Sequence, residues 1–455
     1  MTQTASRTAP EDQYANYHAA YDYQKEKDAP LWLHQLRAQA FTAFLETGFP
    51  VTRELSFPVR EDWLYTNVAP IARTAFLTGP ALASVSAEAL EPYLFNETDW
   101  IQLVFINGRF ESALSRLPKF DSGIVVQPLA NALFEHGASV QGHLGHCMGG
   151  GVSGFTALNT AFIEDGLFVH LPDGKQVETP IHAVYVSTGG PAPTVSHPRT
   201  LIVLGAGASA TVIESFVGLN QSAYLTNAVA EIVVGESANL DHYRINRENK
   251  EAYHISTTEI SQGRESSVST FNMSTGGSLV RNDTNARLNG ERSVTRMNGL
   301  YLATGHQHVD NHTLIEHRQP NCDSYEVYKG ILEDSSQAVF NGKVYVHREA
   351  QETNAKQLNK NLLLSPDASV HTKPQLEIHA DQVKCTHGAT VGQLDEEQIF
   401  YLRTRGLSRD AACHLLTYGF AGDLIRRLKL VALREQLDTL FEETIQHLAM
   451  AQSQV

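Results

Sequence analysis

The sequence has few cysteines, and they lie far apart. The chain of 455 residues contains four, Cys147, Cys322, Cys385 and Cys413, and no two of them form a CxxC pair. A disulfide framework needs many closely spaced cysteines, and a zinc ribbon needs CxxC pairs. The sequence therefore predicts a cytoplasmic protein whose cysteines are reduced.

Basic residues and long apolar runs are also scarce. The chain has 35 Lys and Arg against 50 Asp and Glu, which gives a formal net charge of −15 at pH 7. Nucleic acids bind clustered Lys and Arg, so no nucleic-acid partner is expected. No segment approaches the ~18 uninterrupted apolar residues of a membrane span. The first ten residues lack the apolar core of a secretory signal, so neither membrane insertion nor secretion is expected.

What the chain does contain divides it into three regions. Residues 1–99 are predicted to form a helical N-terminal domain, and residues 393–455 a helical C-terminal domain. Between them, residues 100–392 carry short β-branched runs separated by Gly, Asn, Asp and Ser, as strands and turns do. Only one helical interruption is expected there, near residues 154–162. A single β run of this length is too long for a sandwich and favours a solenoid of about 6 to 14 coils.

The C-terminal region contains signals for three helices. Asp395 is a typical helix start and Gly406 a typical stop, while Ser408 begins a second helix that is expected to end at Gly419. A long amphipathic third helix is predicted to begin at Asp423. This third helix either closes its own domain or docks a partner.

Two glycine-rich motifs resemble nucleotide sites but lack an essential part. The strand before Gly205-Ala-Gly207 resembles the start of a dinucleotide-binding motif, but a strand-like segment follows where a helix is required. The run Gly149-Gly-Gly-Val-Ser-Gly154 has no Lys and so is not a phosphate-binding Walker loop. We therefore predict a turn at residues 205–210 and no nucleotide site; any ATP would bind another subunit.

A histidine-rich segment is open to three interpretations. His306, His308 and His312 could ligate a metal, and His308 and His312 could act with Asp310 as catalytic groups. Alternatively, His and Asn side chains could form a ladder of hydrogen bonds that bridges neighbouring coils. The ladder is favoured, because polar partners lie close by in the sequence.

Cys385 and His387 form the sharpest candidate metal site. Side chains two residues apart on a strand project from the same face, and thiolate and imidazole both bind Fe or Zn. A buried cysteine and a capping histidine beside a glycine turn are the alternatives. Two ligands cannot close a tetrahedral site, so a metal here needs ligands from elsewhere, such as another chain. The role of Cys147, beside His143 and His146, stays open.

Several stretches together resemble the SufB/SufD family of the Suf iron–sulfur cluster assembly system. The matching stretches are Arg60-Glu-Asp-Trp-Leu-Tyr-Thr, Ala157-Leu-Asn-Thr-Ala-Phe, Glu178-Thr-Pro-Ile-His182, Gln307-His-Val-Asp-Asn-His-Thr, Tyr328-Lys-Gly-Ile-Leu, Lys384-Cys-Thr-His-Gly-Ala-Thr-Val-Gly-Gln-Leu-Asp395 and Phe400-Tyr-Leu-Arg-Thr-Arg-Gly406. The resemblance spans nearly the whole chain, and the His387-Gly-Ala-Thr version is similar to the SufD branch.

The resemblance implies a mainly β fold, a right-handed parallel β-helix flanked by N-terminal and C-terminal helical domains. It also implies a non-enzymatic cytoplasmic scaffold that pairs with the paralogue SufB and docks the ABC-type ATPase SufC. No cofactor is expected in the isolated chain. Instead, His387, and less securely Cys385, would help to hold a transient iron–sulfur cluster at the SufB interface. Alone, the chain is open to forming a homodimer.

The resemblance also implies that the C-terminal domain receives SufC. The residues expected to bind this partner are Gln393, Leu394, Phe400, Tyr401, Arg403, Gly406, Leu415, Leu416, Gly419 and Phe420.

Two functions of other classes are weighed against this one. A β-helix carbohydrate-active enzyme would need clustered carboxylates along one face of the coils. The acids of the β region, such as Asp241, Glu259 and Asp283, are instead scattered along the sequence. A His-cluster metalloenzyme would carry stoichiometric metal in the isolated chain.

Overall fold

The computed structural model describes residues 14–50, 61–78, 84–95, 97–120, 123–147 and 153–452. The first ten residues, on which the expectation about secretion rests, lie outside these ranges. So do Arg60 and residues 149–152 of the glycine-rich run.

Strands make up most of the described chain. Their bounds are β1 Leu77–Thr78, β2 Ile101–Ile106, β3 Arg109–Phe110, β4 Val125–Pro128, β5 Leu167–Leu171, β6 Ile181–Ser187, β7 Thr194–Ser196, β8 Arg199–Leu204, β9 Ser209–Gly218, β10 Tyr224–Val234, β11 Asn239–Arg247, β12 Tyr253–Gln262, β13 Ser267–Ser274, β14 Leu279–Leu288, β15 Val294–Ala303, β16 His308–His317, β17 Asp323–Leu332, β18 Gln337–Val346, β19 Thr353–Leu363, β20 Ser369–Ile378 and β21 Val383–Gly392.

The strands wind into a parallel solenoid of about eight turns. From β8 onward, even-numbered strands follow one another in sheet A, and odd-numbered strands follow one another in sheet B. Each strand therefore pairs in parallel with the strands of the coils before and after it, as β10 pairs with β8 and β12. This arrangement confirms the predicted mainly β, parallel solenoid with helices at both ends.

The turns between sheets A and B hold residues with positive φ. Gly207 has φ +65° between β8 and β9, and Ser237 and Glu265 have φ +56° and +55° at the equivalent corner of the next two coils. Left-handed backbone of this kind is typical of tight turns. The segment after β8 is thus a turn into a strand, as predicted, and it has no helix that could hold a dinucleotide.

Helices flank the solenoid and also interrupt it. Their bounds are α1 Ala15–Lys25, α2 Leu31–Thr47, α3 Ala69–Arg73, α4 Ala87–Leu90, α5 Leu129–Glu135, α6 Gly137–Gln141, α7 Gly154–Ala161, α8 Glu396–Thr404, α9 Arg409–Ile425 and α10 Val431–Gln452, with 3-10 turns at Glu61–Trp63, Glu91–Tyr93 and Ser112–Leu114. The predicted interruption near residues 154–162 is α7, but the sequence patterns did not reveal α5 and α6. The predicted domain boundaries at 99/100 and 392/393 stay predictions.

The N-terminal helices pack through aromatic side chains. Tyr21 of α1 stacks on Phe41 of α2 with ring centroids 4.1 Å apart, and Phe162 contacts both rings edge-on. Such aromatic pairs stabilise the fold further, beyond the contribution from burying the rings. Helix α7 approaches so closely that a side chain at Gly154 would clash with the carbonyl of Gly48.

The C-terminal helices cover the outer face of sheet B. Leu424 and Ile425 of α9 and Leu437 of α10 are buried in one cluster with apolar residues of β11, β13 and β15.

No helix in the described part of the chain combines the length and the apolar character needed to cross a membrane.

The ends predicted for the second and third C-terminal helices are wrong. Helix α9 continues through Gly419 to Ile425, and the next helix begins at Val431 rather than at Asp423. A glycine inside a helix costs only about 1 kcal/mol, and burial of Leu424 and Ile425 beyond it outweighs that cost. Asp423 does not cap a helix but pairs with Lys329 of β17.

Candidate functional site

Cys385 and His387 lie on β21, the last strand of sheet B, with their side chains on the inward face. In the parallel register Cys385 lies opposite Ala355, and His387 lies opposite Gln357 of β19. Both β19 residues are buried inside the solenoid. Because neighbouring residues in register share a face, Cys385 and His387 continue two inward-facing rows. The structure therefore brings the two predicted ligands to one face, as the sequence spacing indicates.

The two side chains differ in environment. Cys385 is half-buried and packs against a small apolar cluster that includes Val346 and Ala355. Burial raises the pKa of its thiol, which favours the neutral form over the thiolate that binds metals. His387, by contrast, is exposed. Of the two, the imidazole is thus the more available ligand in the free chain.

The coil that carries these residues ends the solenoid with two unpaired edges. Among the described strands, β20 pairs only with β18, and β21 only with β19. Each is a full strand of ten residues, and most of β21 is exposed. The other end of the solenoid finishes in the short antiparallel strands β3 and β4. A long exposed edge offers free N–H and C=O groups to another chain, so we call β20 and β21 together the open end.

Helices α8 and α9 form an exposed apolar surface next to the open end. Phe400 and Tyr401 are 67 % and 57 % exposed, and Leu415 is 48 % exposed. We call these three residues with Leu407 the hairpin surface. Large apolar side chains that are exposed on one pair of helices are candidates for a protein interaction site.

The residues predicted to bind a partner do not all lie on this surface. Besides Phe400, Tyr401 and Leu415, those that are exposed are Gln393, Arg403, Gly406 and Gly419. Leu416 is half-buried. Leu394 and Phe420 pack instead against the cluster on sheet B, and the Phe420 carbonyl accepts a hydrogen bond from Lys329 Nζ at 2.7 Å.

Within the described ranges, no three His, Cys, Asp or Glu side chains are grouped so that they could hold a metal ion. Within the described residues, Cys385 and His387 can therefore be only part of the ligand set of a metal site. A tetrahedral iron or zinc site would need further ligands.

Family models match the chain along most of its length. Residues 8–183 match the SufBD protein N-terminal region, and residues 185–420 match the SufBD core domain of SUF system FeS cluster assembly. The core model alone matches more than half of the chain. The chain belongs to the SufBD family.

Individual SufBD relatives agree with this assignment. An iron–sulfur cluster assembly SufBD family protein of Synechocystis is 34 % identical over 83 % of this chain and 84 % of its own length. The iron–sulfur cluster assembly protein SufD of Escherichia coli is 32 % identical over 88 % of this chain and 90 % of its own. SufD of Bacillus subtilis is 26 % identical over 93 % and 96 %. The chain thus has a role in iron–sulfur cluster assembly.

The histidine-rich segment of the SufBD core forms hydrogen bonds with several parts of the chain. His308 Nε2 lies 3.0 Å from Thr66 Oγ1, and His317 Nε2 lies 2.9 Å from Ser324 Oγ. Asn311 accepts from Asn282 of the neighbouring coil at 3.1 Å. The Asn282–Asn311 hydrogen bond joins two coils, as the ladder interpretation predicts, whereas His308 contacts the N-terminal segment and His317 contacts the next strand, β17.

Asp310 and Arg281 form a buried ion pair beside this ladder. Their atoms Oδ2 and Nη1 are 2.7 Å apart, and Thr66 donates a hydrogen bond to the same oxygen. Burial opposes ionisation, but Arg281 and His312 outweigh it and hold the pKa of Asp310 well below its usual range. Arg281 also lies over the ring of Trp63, 3.8 Å from its centroid. The pair thus ties the N-terminal segment to the solenoid, a role that sequence patterns did not reveal.

Cys147 lies on the outer face of sheet A of the SufBD core. Its amide donates to Glu231 at 3.1 Å, and its carbonyl accepts from Arg287 at 3.1 Å. Burial and the nearby carboxylate of Glu231 raise the pKa of its thiol to about 12. A thiol with this pKa is neutral at pH 7, which makes it a poor metal ligand or nucleophile.

Proposed function

We propose that this chain is a non-enzymatic scaffold subunit of a Suf complex. Its open end pairs with a SufB-type paralogue, and the hairpin surface docks a SufC-type ATPase. His387 contributes to a site that the two scaffold subunits share and in which an iron–sulfur cluster is assembled as cargo. The observation that carries the proposal is the position of His387 on β21, the last strand of sheet B, whose outer edge has no pairing strand among the described residues.

The unpaired outer edges of β20 and β21 support pairing with a paralogue. Ten-residue edges with exposed backbone groups are a liability that most proteins cover or shorten. A paralogue with the same architecture would present matching strands and could extend both sheets at once. A second copy of this chain could occupy the same edges when the paralogue is absent.

The residues of β21 support a shared cluster site. The two candidate ligands face the interior of the open end, where a pairing subunit would enclose them. Cys385 is half-buried with a raised thiol pKa, so His387 is the ligand that we propose for this chain. The remaining ligands come from the paralogue.

The exposed apolar residues of α8 and α9 support ATPase docking. Phe400 and Tyr401 lie on α8, which has Ile399 as its single buried residue. The buried face of α9 already packs on sheet B, so its exposed face is free for a partner. Movement of this hairpin on ATP hydrolysis would reach the open end through the short connection at residues 393–395.

A carbohydrate-active enzyme is less well supported. Three acids of the β region that could serve such an enzyme all form ion pairs. Asp241 pairs with Lys429 at 2.7 Å, Glu259 with Arg287 at 2.6 Å, and Asp283 with Arg281 at 2.9 Å. Carboxylates held by basic groups in this way are poor candidates for the paired acid and base of glycoside hydrolysis. We also propose a cytoplasmic location, which fits a chain whose four cysteines are few and widely spaced.

Co-purification tests the two docking surfaces separately. The tagged chain is expected to retain both the paralogue and the ATPase. Ala389→Lys places a charge on the inward face of β21 and should abolish binding of the paralogue only. The double variant Phe400→Ala/Tyr401→Ala should abolish binding of the ATPase only.

Asn239→Lys serves as the matched control, because Asn239 is exposed on β11 at a distance from the open end. It should retain both partners. Retention of the paralogue by Ala389→Lys, or of the ATPase by the double variant, would refute the corresponding surface.

A further inference from the structure

His387 is the last member of an inward-facing row of residues on sheet B. Successive strands place in register the residues His242, Thr270, Met297, Glu326, Gln357 and His387. Every member before His387 is buried. Neighbouring strands are about 4.8 Å apart, so side chains of successive members can touch. On its own subunit, the neighbour of His387 in this row is therefore Gln357, and Glu326 lies behind Gln357.

The side chain of Gln357 is held in one orientation. Its Nε2 donates to Glu326 Oε2 at 2.7 Å, and this hydrogen bond is buried. A side chain on Gly342 of the facing sheet would clash with the same amide nitrogen, so glycine leaves the space that the amide occupies. The hydrogen bond to Glu326 thus orients the amide with its nitrogen towards the coil behind it, in the space that Gly342 leaves open.

The other end of this amide is an acceptor without a partner. Gln357 Oε1 is buried, and none of the described residues donates a hydrogen bond to it. Because Nε2 donates to Glu326 on the preceding strand of the row, Oε1 is available to a donor on the following strand. The residue in register there is His387.

We propose that Gln357 is a positioning residue for His387, its Oε1 accepting one ring N–H when a partner covers the open end. This inference rests on the proposed function, because covering the end excludes the water that otherwise solvates the imidazole. The hydrogen bond selects one tautomer and leaves the other ring nitrogen to face the cluster. Histidines that bind metals usually have such a partner on their second nitrogen.

Loss of the acceptor should therefore weaken the site without loss of the fold. Gln357→Met keeps the length of the side chain and removes both polar atoms. In the complex, removal of an outer partner of this kind typically reduces metal affinity 10- to 100-fold. We expect half of the iron of the assembled complex to be removed, at equilibrium, by a chelator concentration lower by about that factor.

The direct readout is the tautomer of His387. The full chain, labelled with ¹³C and ¹⁵N in histidine and deuterated elsewhere, is examined by NMR in complex with its unlabelled partners. The His387 signal is assigned by its absence in His387→Asn. Wild type should show a single tautomer, and Gln357→Met a mixture of two. Thr270→Val removes a polar group from the same row, four strands away from His387, and should match wild type.

The outcomes separate this inference from the proposed function. If the wild-type chain does not bind its paralogue, the proposed function fails and the inference fails with it. If the complex forms but Gln357→Met shows the wild-type tautomer, only the inference fails. A mixture of tautomers in the wild-type complex would overturn the inference even if Gln357→Met did not fold.

Discussion

Glu326 is a carboxylic acid inside the solenoid. Its side chain is 1 % exposed, and burial raises its pKa to about 7, although the hydrogen bond from Gln357 opposes this shift. In the unfolded chain the carboxyl has its usual pKa of 4.5. Between these two values the folded chain binds a proton that the unfolded chain has lost, so stability falls as the pH rises.

We predict that Glu326→Gln removes this pH dependence. Relative to wild type, the variant should gain stability as the pH rises from 4.5 to 7, by about 3 kcal/mol in total at ~1.4 kcal/mol per pKa unit. Urea unfolding at pH 5 and pH 8 measures the difference. Glu178→Gln, at an exposed position, is the control and should show no comparable trend. An equal effect of Glu326→Gln at both pH values would contradict the prediction.

At the residue scale, sequence patterns reveal neighbours on one strand but not neighbours between coils. The spacing of Cys385 and His387 places both on one face because strand side chains alternate strictly. Gln357 and Glu326 lie one and two coils away from His387, and only the register brings them into its row. The solenoid repeat is too degenerate in sequence to fix that register.

At the scale of single elements, helix α9 has one buried face and one exposed face. Leu424 is buried against sheet B, whereas Leu415 on the same helix is 48 % exposed. One face closes the solenoid and the other belongs to the hairpin surface.

Substitution of these two leucines by alanine should separate the faces. Leu424→Ala should lower the free energy of unfolding by about 2–5 kcal/mol, because it creates a cavity in the core. Leu415→Ala should change it by less than about 0.5 kcal/mol and instead weaken ATPase binding. Denaturant unfolding and co-purification check the two effects. A large loss of stability in Leu415→Ala would mean that this face is part of the fold rather than a docking surface.

The helices show where local signals suffice and where they fail. A local signal is enough at the end of α2, where Gly48 follows the last helical residue with φ +63°. Gly419 is also a glycine, but it does not end α9, because the packing of the following residues on sheet B outweighs the low helix propensity of glycine. Short helices such as α5 give too few turns for a periodic pattern to be recognised.

At the scale of the whole molecule, the two ends of the solenoid differ. In the described chain, the N-terminal end finishes in the short antiparallel strands β3 and β4, while at the C-terminal end β20 and β21 each have one long unpaired edge. The site residues therefore lie where another subunit can complete both the sheets and the ligand set. Composition and resemblance predicted a solenoid that works on other proteins, but the asymmetry of its ends depends on strand pairing that no local pattern records.

The most direct test is the cluster content of the assembled complex. The chain is co-expressed with its SufB-type and SufC-type partners, and iron, sulfide and visible absorption are measured per complex for wild type and His387→Ala. His306→Ala is the control, because His306 is exposed in the turn before β16, outside the open end. We predict that all three complexes assemble and that only His387→Ala loses most of its cluster. Unchanged cluster content in His387→Ala, at equal yield of complex, would contradict a shared site at the open end.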